Sequence, residues 1–313
     1  MPLTHEAKGV FPIAPTPFLD NGEIDYQSID RMVAFYLECG STGLTVLGQL
    51  GEAPKLEFSE SLDVARRVIE RAGQLPVVVG VSAPGFASMR ALTQEVMGLG
   101  AAGVMIAPPN TLRTDDQVFN YYHQAIEAIG SDVPFVIQDY PLTFSVQMAP
   151  AVIRRIVNEL PSCVMLKHED WPGLEKISTL RQYERDATMR PISILCGNNG
   201  LFLDYELERG ADGANTGYSF PDMLCDIVRM KADGQVEAAH DLFDAHLPLL
   251  RYEQQPGVGL AVRKYVMMRR GIISYAAQRR PASPMSGRAQ GEVDNLLRRL
   301  ARHDPRARVA AHP

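Results

Sequence analysis

Short apolar runs rich in β-branched residues recur along the chain, separated by longer segments of helical periodicity. The runs open at Gly9 (GVFPIAPTP), Gly43 (GLTVLG), Pro76 (PVVVGVSA), Gly103 (GVMIAPP), Pro134 (PFVIQDYP), Val164 (VMLKHED), Ile192 (ISILCGN) and Gly213 (GANTGY). Their length and nearly unbroken apolar character suit parallel strands buried on both faces. The intervening segments repeat every three to four residues instead. In 59–72 the apolar positions Leu62, Val64, Ala65, Val68 and Ile69 form one helical stripe.

The joints repeat as well. Gly40-Ser-Thr-Gly43, Gly100-Ala-Ala-Gly103 and Gly210-Ala-Asp-Gly213 each stand where a helix ends and a strand begins. Glycine there supplies a left-handed cap and a tight turn. Pro76, Pro134 and Pro191 open other strands, where a missing N–H does little harm. Eight strands alternating with helices predict a parallel sheet, and 9–221 approaches the usual length of a closed (β/α)₈ barrel. The expected organisation is a TIM barrel over 1–220 and a C-terminal helical extension over 221–313 packed on it. An open doubly wound sheet is the structural rival, but no GxGxxG or GxxxxGKS follows any strand.

Composition narrows the function classes. The hydrophobic fraction of 46% supports an ordinary core. A net charge of -6 argues against a nucleic-acid partner, which would select a basic face. The locally basic stretch 279–308 reads as a solvated helix and tail. The first residues lack a basic region followed by an apolar run, and no apolar stretch has the length of a membrane span. Cys39, Cys163, Cys196 and Cys225 form no CxxC pair, so reduced thiols and a cytoplasmic setting are expected. No HExxH occurs, and His240 and His246 do not share a helix face at ligand spacing, so no metal and no cofactor are expected.

In a barrel of this kind the active site lies at the C-terminal ends of the strands. The sixth run is the most informative: Val164-Met165-Leu166 is followed by Lys167-His168-Glu169-Asp170. Alternation puts Lys167 and Glu169 on one face and His168 on the other. A lysine inside a barrel is costly without a task or a partner. Desolvation frees the amine lone pair for attack on a ketone, and a carboxylate two residues on can move protons at the neighbouring carbon. A Lys–Glu ion pair at a strand end explains the same residues. Gly48-Gln49-Leu50-Gly51-Glu52 ends the second run, as a backbone anion site or a tight turn. Gly197-Asn198-Asn199 and Asn215-Thr216-Gly217 end the last two runs, as polar ligands or local turn formers. Gln138 and Tyr140 share a face on the fifth strand. His168, Met165, Trp171, Tyr121 and Tyr122 read as packing residues.

With these residues in place, the sequence resembles the dihydrodipicolinate synthase / N-acetylneuraminate lyase family of class I aldolases over 9–271. The resemblance is carried by GVFPIAPTPF at the first strand, GQLGE after the second and the fifth-strand segment ending at Pro141. Lys167, Gly197 and GADGANTG complete it. It implies a Schiff base on Lys167, a 2-keto acid substrate and a homotetramer. On that chemistry Glu169 is expected to be catalytic, and Gln49, Leu50, Gly51, Gln138, Gly197, Asn198, Asn215 and Thr216 are expected to bind substrate.

The departures point within the family. Gln49 and Leu50 stand where a hydroxyl pair usually holds the carboxylate, and Gln138 where a proton-relaying tyrosine stands. Pro109 replaces a tyrosine lent by a neighbouring subunit, and Thr143 the arginine that binds the synthase's aldehyde substrate. The pattern is similar to the branch containing L-2-keto-3-deoxyarabonate dehydratase. The shared features are Pro108-Pro109, Gln138-Asp139-Tyr140-Pro141, Lys167-His168-Glu169 and the TGxxFPD segment from Thr216. The expected reaction is dehydration of a 2-keto-3-deoxy sugar acid. The alternatives are a pyruvate-dependent aldolase or synthase-type condensation, and a non-catalytic keto-acid-binding sensor.

Overall fold

The computed structural model describes residues 1–171 and 173–309. The first half of the barrel runs β1 (Gly9–Val10), α1 (Tyr26–Glu38), β2 (Leu44–Val46), α2 (Phe58–Ala72), β3 (Val77–Gly80), α3 (Phe86–Gly98), β4 (Gly103–Ile106) and α4 (Asp115–Ile129). The second half runs β5 (Phe135–Asp139), a short α5 (Pro141–Phe144), α6 (Pro150–Glu159), β6 (Cys163–His168), α7 (Leu174–Arg185), β7 (Ser193–Cys196), α8 (Leu203–Glu208), β8 (Gly213–Ala214) and α9 (Pro221–Ala232). Three further helices follow: α10 (Val236–Glu253), α11 (Gly259–Arg269) and α12 (Gly287–Leu300).

All strand pairs are parallel, in the order β1-β8-β7-β6-β5-β4-β3-β2. The ring closes between the two ends of that order. Ile13 bridges Thr45, the Thr45 N–H donates to the Pro12 carbonyl, and the Ala14 N–H donates to the Thr45 carbonyl. On the other side the Phe11 and Ile13 N–H groups donate to Ala214 and Thr216. The first strand is formally short because Pro12, Pro15 and Pro17 have no N–H to give. Its backbone nevertheless spans the seam, and the fold is a (β/α)₈ TIM barrel.

Two apolar layers hold it. Outward strand residues such as Val46, Val79, Ile106, Ile137 and Leu166 meet the helix stripes. Inward residues Phe11, Val78, Met105, Val136, Met165 and Leu195 fill the lumen, with Leu3 packed against them. The lumen is therefore a plugged floor and not a pore. The repeated glycine joints behave as caps: Gly100 and Gly210 both have φ +98°, a conformation costly for side chains with a Cβ. Helix α2 begins one residue before the predicted stripe. Its cap is Glu57, whose N–H is received by Glu60 at 2.9 Å.

Helix α9 packs on β1 and β8 and so completes the eighth βα unit. We therefore place the end of the barrel after α9, at about residue 235, and not at 220/221. Helices α10, α11 and α12 form the extension. Its buried seam runs through His246, whose Nδ1 lies 3.0 Å from the Tyr218 hydroxyl and whose Nε2 lies 2.9 Å from Asp304. Burial pushes the imidazole pKa down, while hydrogen bonds from His246 and Arg306 hold the Asp304 carboxyl well below the usual range. A neutral ring that donates from Nε2 to an ionised Asp304 and accepts from Tyr218 satisfies both directions. No helix among the described residues is long and apolar enough to cross a membrane.

Candidate active site

The C-terminal ends of the strands open into a cavity of about 980 Å³. Alternation along β6 sends Met165 into the floor and Lys167 and Glu169 into this cavity, with His168 on the helix side. Lys167 and Glu169 are both buried, and Lys167 Nζ lies 3.0 Å from Glu169 Oε2. The ion pair that accounts for a strand-end lysine is thus present, and it sits in the cavity wall. Gln138, beside Lys167 in the β5–β6 register, donates from Nε2 to Glu169 Oε2 at 2.9 Å. The Asn198 N–H approaches Glu169 Oε1 at 3.3 Å, and its side-chain amide donates to the Glu169 carbonyl at 2.8 Å. Glu169 is therefore fixed by β5, β6 and the β7 loop together.

Gly197 makes this possible. A Cβ at that position would lie closer than 3.0 Å to Glu169 Cγ, Cδ and Oε1 at once. It leaves room for Glu169 and does not itself line the cavity. Asn198 and Asn199 follow with φ of +49° and +58°, a left-handed pair that asparagine tolerates better than most residues.

The other sequence-predicted residues divide. Gln49, Leu50 and Thr216 line the cavity. Gly51 does not: its N–H donates to Gly48 at 3.0 Å and its carbonyl receives the Thr16 hydroxyl at 2.6 Å. That correction follows from the 3₁₀ turn Gln49–Gly51, which consumes its third N–H and leaves those of Gln49 and Leu50. Asn215 is fully buried with neither side-chain polar atom partnered, and it does not reach the cavity lining.

One of the remaining readings changes. Trp171 is not core packing; it is half exposed at the cavity rim, edge-on to Phe202 with ring centroids 5.3 Å apart. Tyr140 lines the cavity, and burial and then the Glu169 charge push its phenol pKa up, so it stays protonated. Tyr121 and Tyr122 lie in α4, with Tyr122 bonded to the Ile106 carbonyl. His168 is fully buried against Gly173.

The extension also reaches the site, which the sequence pattern did not indicate. Arg251, Glu253 and Gln254 at the end of α10, and Leu260 and Arg263 on α11, line one wall. Arg263 is buried; its Nε donates to Glu253 Oε1 at 2.6 Å and its Nη2 to Asn199 Oδ1. Its Nη1 has no partner. Burial pushes the Glu253 pKa up, and Arg263 and the Ser219 hydroxyl, 2.6 Å away, pull it back. Among the described residues, no three His, Cys, Asp or Glu side chains converge as a metal site.

Comparison with known proteins gives a consistent family. Residues 6–300 match the model of the dihydrodipicolinate synthetase family. L-2-keto-3-deoxyarabonate dehydratase of Azospirillum brasilense is 31% identical over 95% of this chain and 96% of its own. A solved dihydrodipicolinate synthase from Rhodopseudomonas palustris is 63% identical, with a TM-score of 0.95, over 96% of this chain and 99% of that one. A prophage protein of the same family from E. coli K12, solved with pyruvate, shares the fold (TM-score 0.85) at 20% identity, covering 94% of this chain and 99% of that one.

Proposed function

The chain belongs to the dihydrodipicolinate synthetase family and is a class I lyase of that family; on this premise we propose that Lys167 forms a Schiff base with a 2-keto acid and that Glu169 moves the proton at C3. The observation that carries this reading is the cavity pair itself. Lys167 and Glu169 are buried at 3.0 Å, and three elements hold Glu169 in place. The Lys167 amine adds to the C2 ketone and water leaves, giving an iminium. That cation draws electrons from C3, so Glu169 removes a C3 proton and an enamine forms. The N–H groups of Gln49 and Leu50 are suited to hold the substrate carboxylate, and Thr216 and Asn198 to meet its polar atoms.

From the enamine two fates are open. In dehydration the C4 hydroxyl leaves as water, with its proton supplied by Glu169 or the protonated Tyr140. Thr143 in place of an aldehyde-binding arginine and the Gln138–Glu169 bond support this fate, as does the 31% relative's name. In condensation or its reverse, a C3–C4 bond forms or breaks. The 63% relative carries the synthase name, and at twice the identity it weighs more for this alternative than the dehydratase does for the first. Product analysis by NMR separates them. Dehydration of L-2-keto-3-deoxyarabonate keeps its five carbons, aldol cleavage releases pyruvate, and condensation consumes pyruvate only with an aldehyde. Lys167→Ala should abolish whichever turnover is seen; activity retained in that variant contradicts the reading. A homotetramer is part of the proposal and is read by light scattering.

A further inference from the structure

Arg263 is a charged group in the cavity wall that the imine chemistry does not use. Its Nε and Nη2 are committed to Glu253 and Asn199, while Nη1 is buried without a partner. A buried N–H left unsatisfied costs free energy, and because the Arg263 side chain lines the cavity, a ligand oxygen that displaces the neighbouring Leu50 side chain can satisfy it. A second, independent observation locates it. A Cβ on Gly217 would lie closer than 3.0 Å to both Nη1 of Arg263 and Cδ1 of Leu50. The Nη1 atom therefore lies over the Gly217 backbone, beside Leu50 and Thr216, both of which line the cavity. Its charge is also felt at Tyr140, which lines the same cavity.

We propose that Arg263 is a specificity-determining residue that donates from Nη1 to a hydroxyl oxygen on the tail of the 2-keto acid. This rests on the Schiff-base reading, which fixes the other end of the substrate at Lys167. The preference for a neutral acceptor follows from charge. Arg263 and Glu253 form a buried pair with no net charge, and Glu253 Oε1 lies 2.6 Å from the guanidinium. A carboxylate on the tail would be brought toward that buried carboxylate and meet repulsion in a low-dielectric site. A hydroxyl satisfies Nη1 with no such opposition. Arg251, the other arginine in the lining, is exposed and would meet a charged tail only at the rim. The arginine missing at 143 is thus not replaced like for like: the guanidinium arrives from the extension already paired.

The test is borohydride trapping as a function of concentration with three probes: pyruvate, L-2-keto-3-deoxyarabonate and 2-oxoglutarate. They have no tail, a hydroxylated tail and a carboxylate tail. In the native enzyme the hydroxylated acid should half-trap at the lowest concentration. Arg263→Lys keeps a charge for Glu253 but loses the fork. Gly217→Ala leaves Arg263 intact and displaces its tip together with the Leu50 side chain, which the comparison with pyruvate controls for; the Gly217 φ is not left-handed, so the backbone accepts the change. Each variant should raise the half-trapping concentration of the hydroxylated acid about tenfold or more relative to that of pyruvate. A ratio that moves less than threefold in the folded variants overturns the proposal, as does stronger capture of 2-oxoglutarate than of the hydroxylated acid by the native enzyme. No trapping of any probe would instead defeat the Schiff-base reading itself.

Discussion

Replacing Gly197 with alanine should separate the two halves of the chemistry. The new methyl would fall on the Cγ, Cδ and Oε1 atoms of Glu169, each closer than 3.0 Å, and the β7 backbone cannot retreat without breaking its bond to the His168 carbonyl at 2.7 Å. Glu169 must therefore rotate. It would lose the Gln138 hydrogen bond at 2.9 Å, the Lys167 contact at 3.0 Å and the Asn198 N–H at 3.3 Å. Charge-assisted bonds of this kind contribute about 1.5–3 kcal/mol each. Loss of a positioned general base costs about 10²–10⁴ in rate, or roughly 3–5 kcal/mol of barrier. Lys167 is untouched by the methyl. Pyruvate dissolved in D₂O provides the assay: on the enzyme its methyl protons exchange through the enamine, and NMR follows them above the rate without enzyme. Gly197→Ala should still be trapped by borohydride on Lys167 yet exchange about 10²–10⁴ times more slowly, as should Glu169→Gln. Exchange within threefold of the native rate in either variant would refute Glu169 as the base.

Two further predictions concern stability. Burial raises the Glu206 pKa from 4.5 to about 7, so the folded state binds more protons than the unfolded state in that interval. Its contribution to stability therefore falls as pH rises from about 4.5 to 7, and Glu206→Gln should be more stable than native at pH 8, by up to about 3 kcal/mol, with little difference at pH 4. Urea melts at both pH values check this; equal stability at pH 8 would show the charge is relieved elsewhere. Lys264, whose pKa burial lowers to about 8, ties the extension to the barrel by donating to Glu52 at 2.6 Å and to the Thr16 and Ala277 carbonyls, each at 2.8 Å. Lys264→Met should cost about 3 kcal/mol, because Glu52 stays buried with Lys55 and the Arg279 N–H as its remaining partners. A loss below 1 kcal/mol would contradict a structural role for that pair.

Much of the barrel was legible because parallel strands and amphipathic helices leave different periods in the sequence, and the glycine joints mark where one gives way to the other. The shared face of Lys167 and Glu169 followed from alternation alone. What the pattern hid lies where chain order and space part company. Arg263 sits beside Lys264 in GLAVRKYVMMR, and both side chains are buried. Their enclosure in an otherwise apolar segment was the available signal. Gly51 misled for a local reason: a 3₁₀ turn uses its own N–H groups, and nothing in GQLGE distinguishes the spent one from the open ones. The 220/221 boundary came from counting strands, whereas the eighth crossover needs its helix, α9, to cover β8 and β1. Trp171 reads as a packing residue, but the chain leaves β6 there and the ring stays at the cavity rim.

The central claim is a covalent one, and mass decides it. Native enzyme incubated with pyruvate and reduced with borohydride should gain the mass of one reduced pyruvyl group per chain. Peptide mapping should place that group on Lys167, and Lys167→Ala should gain nothing. An adduct on another lysine, such as the buried Lys176 or Lys264, or an unmodified chain in the presence of every 2-keto acid offered, would contradict the account.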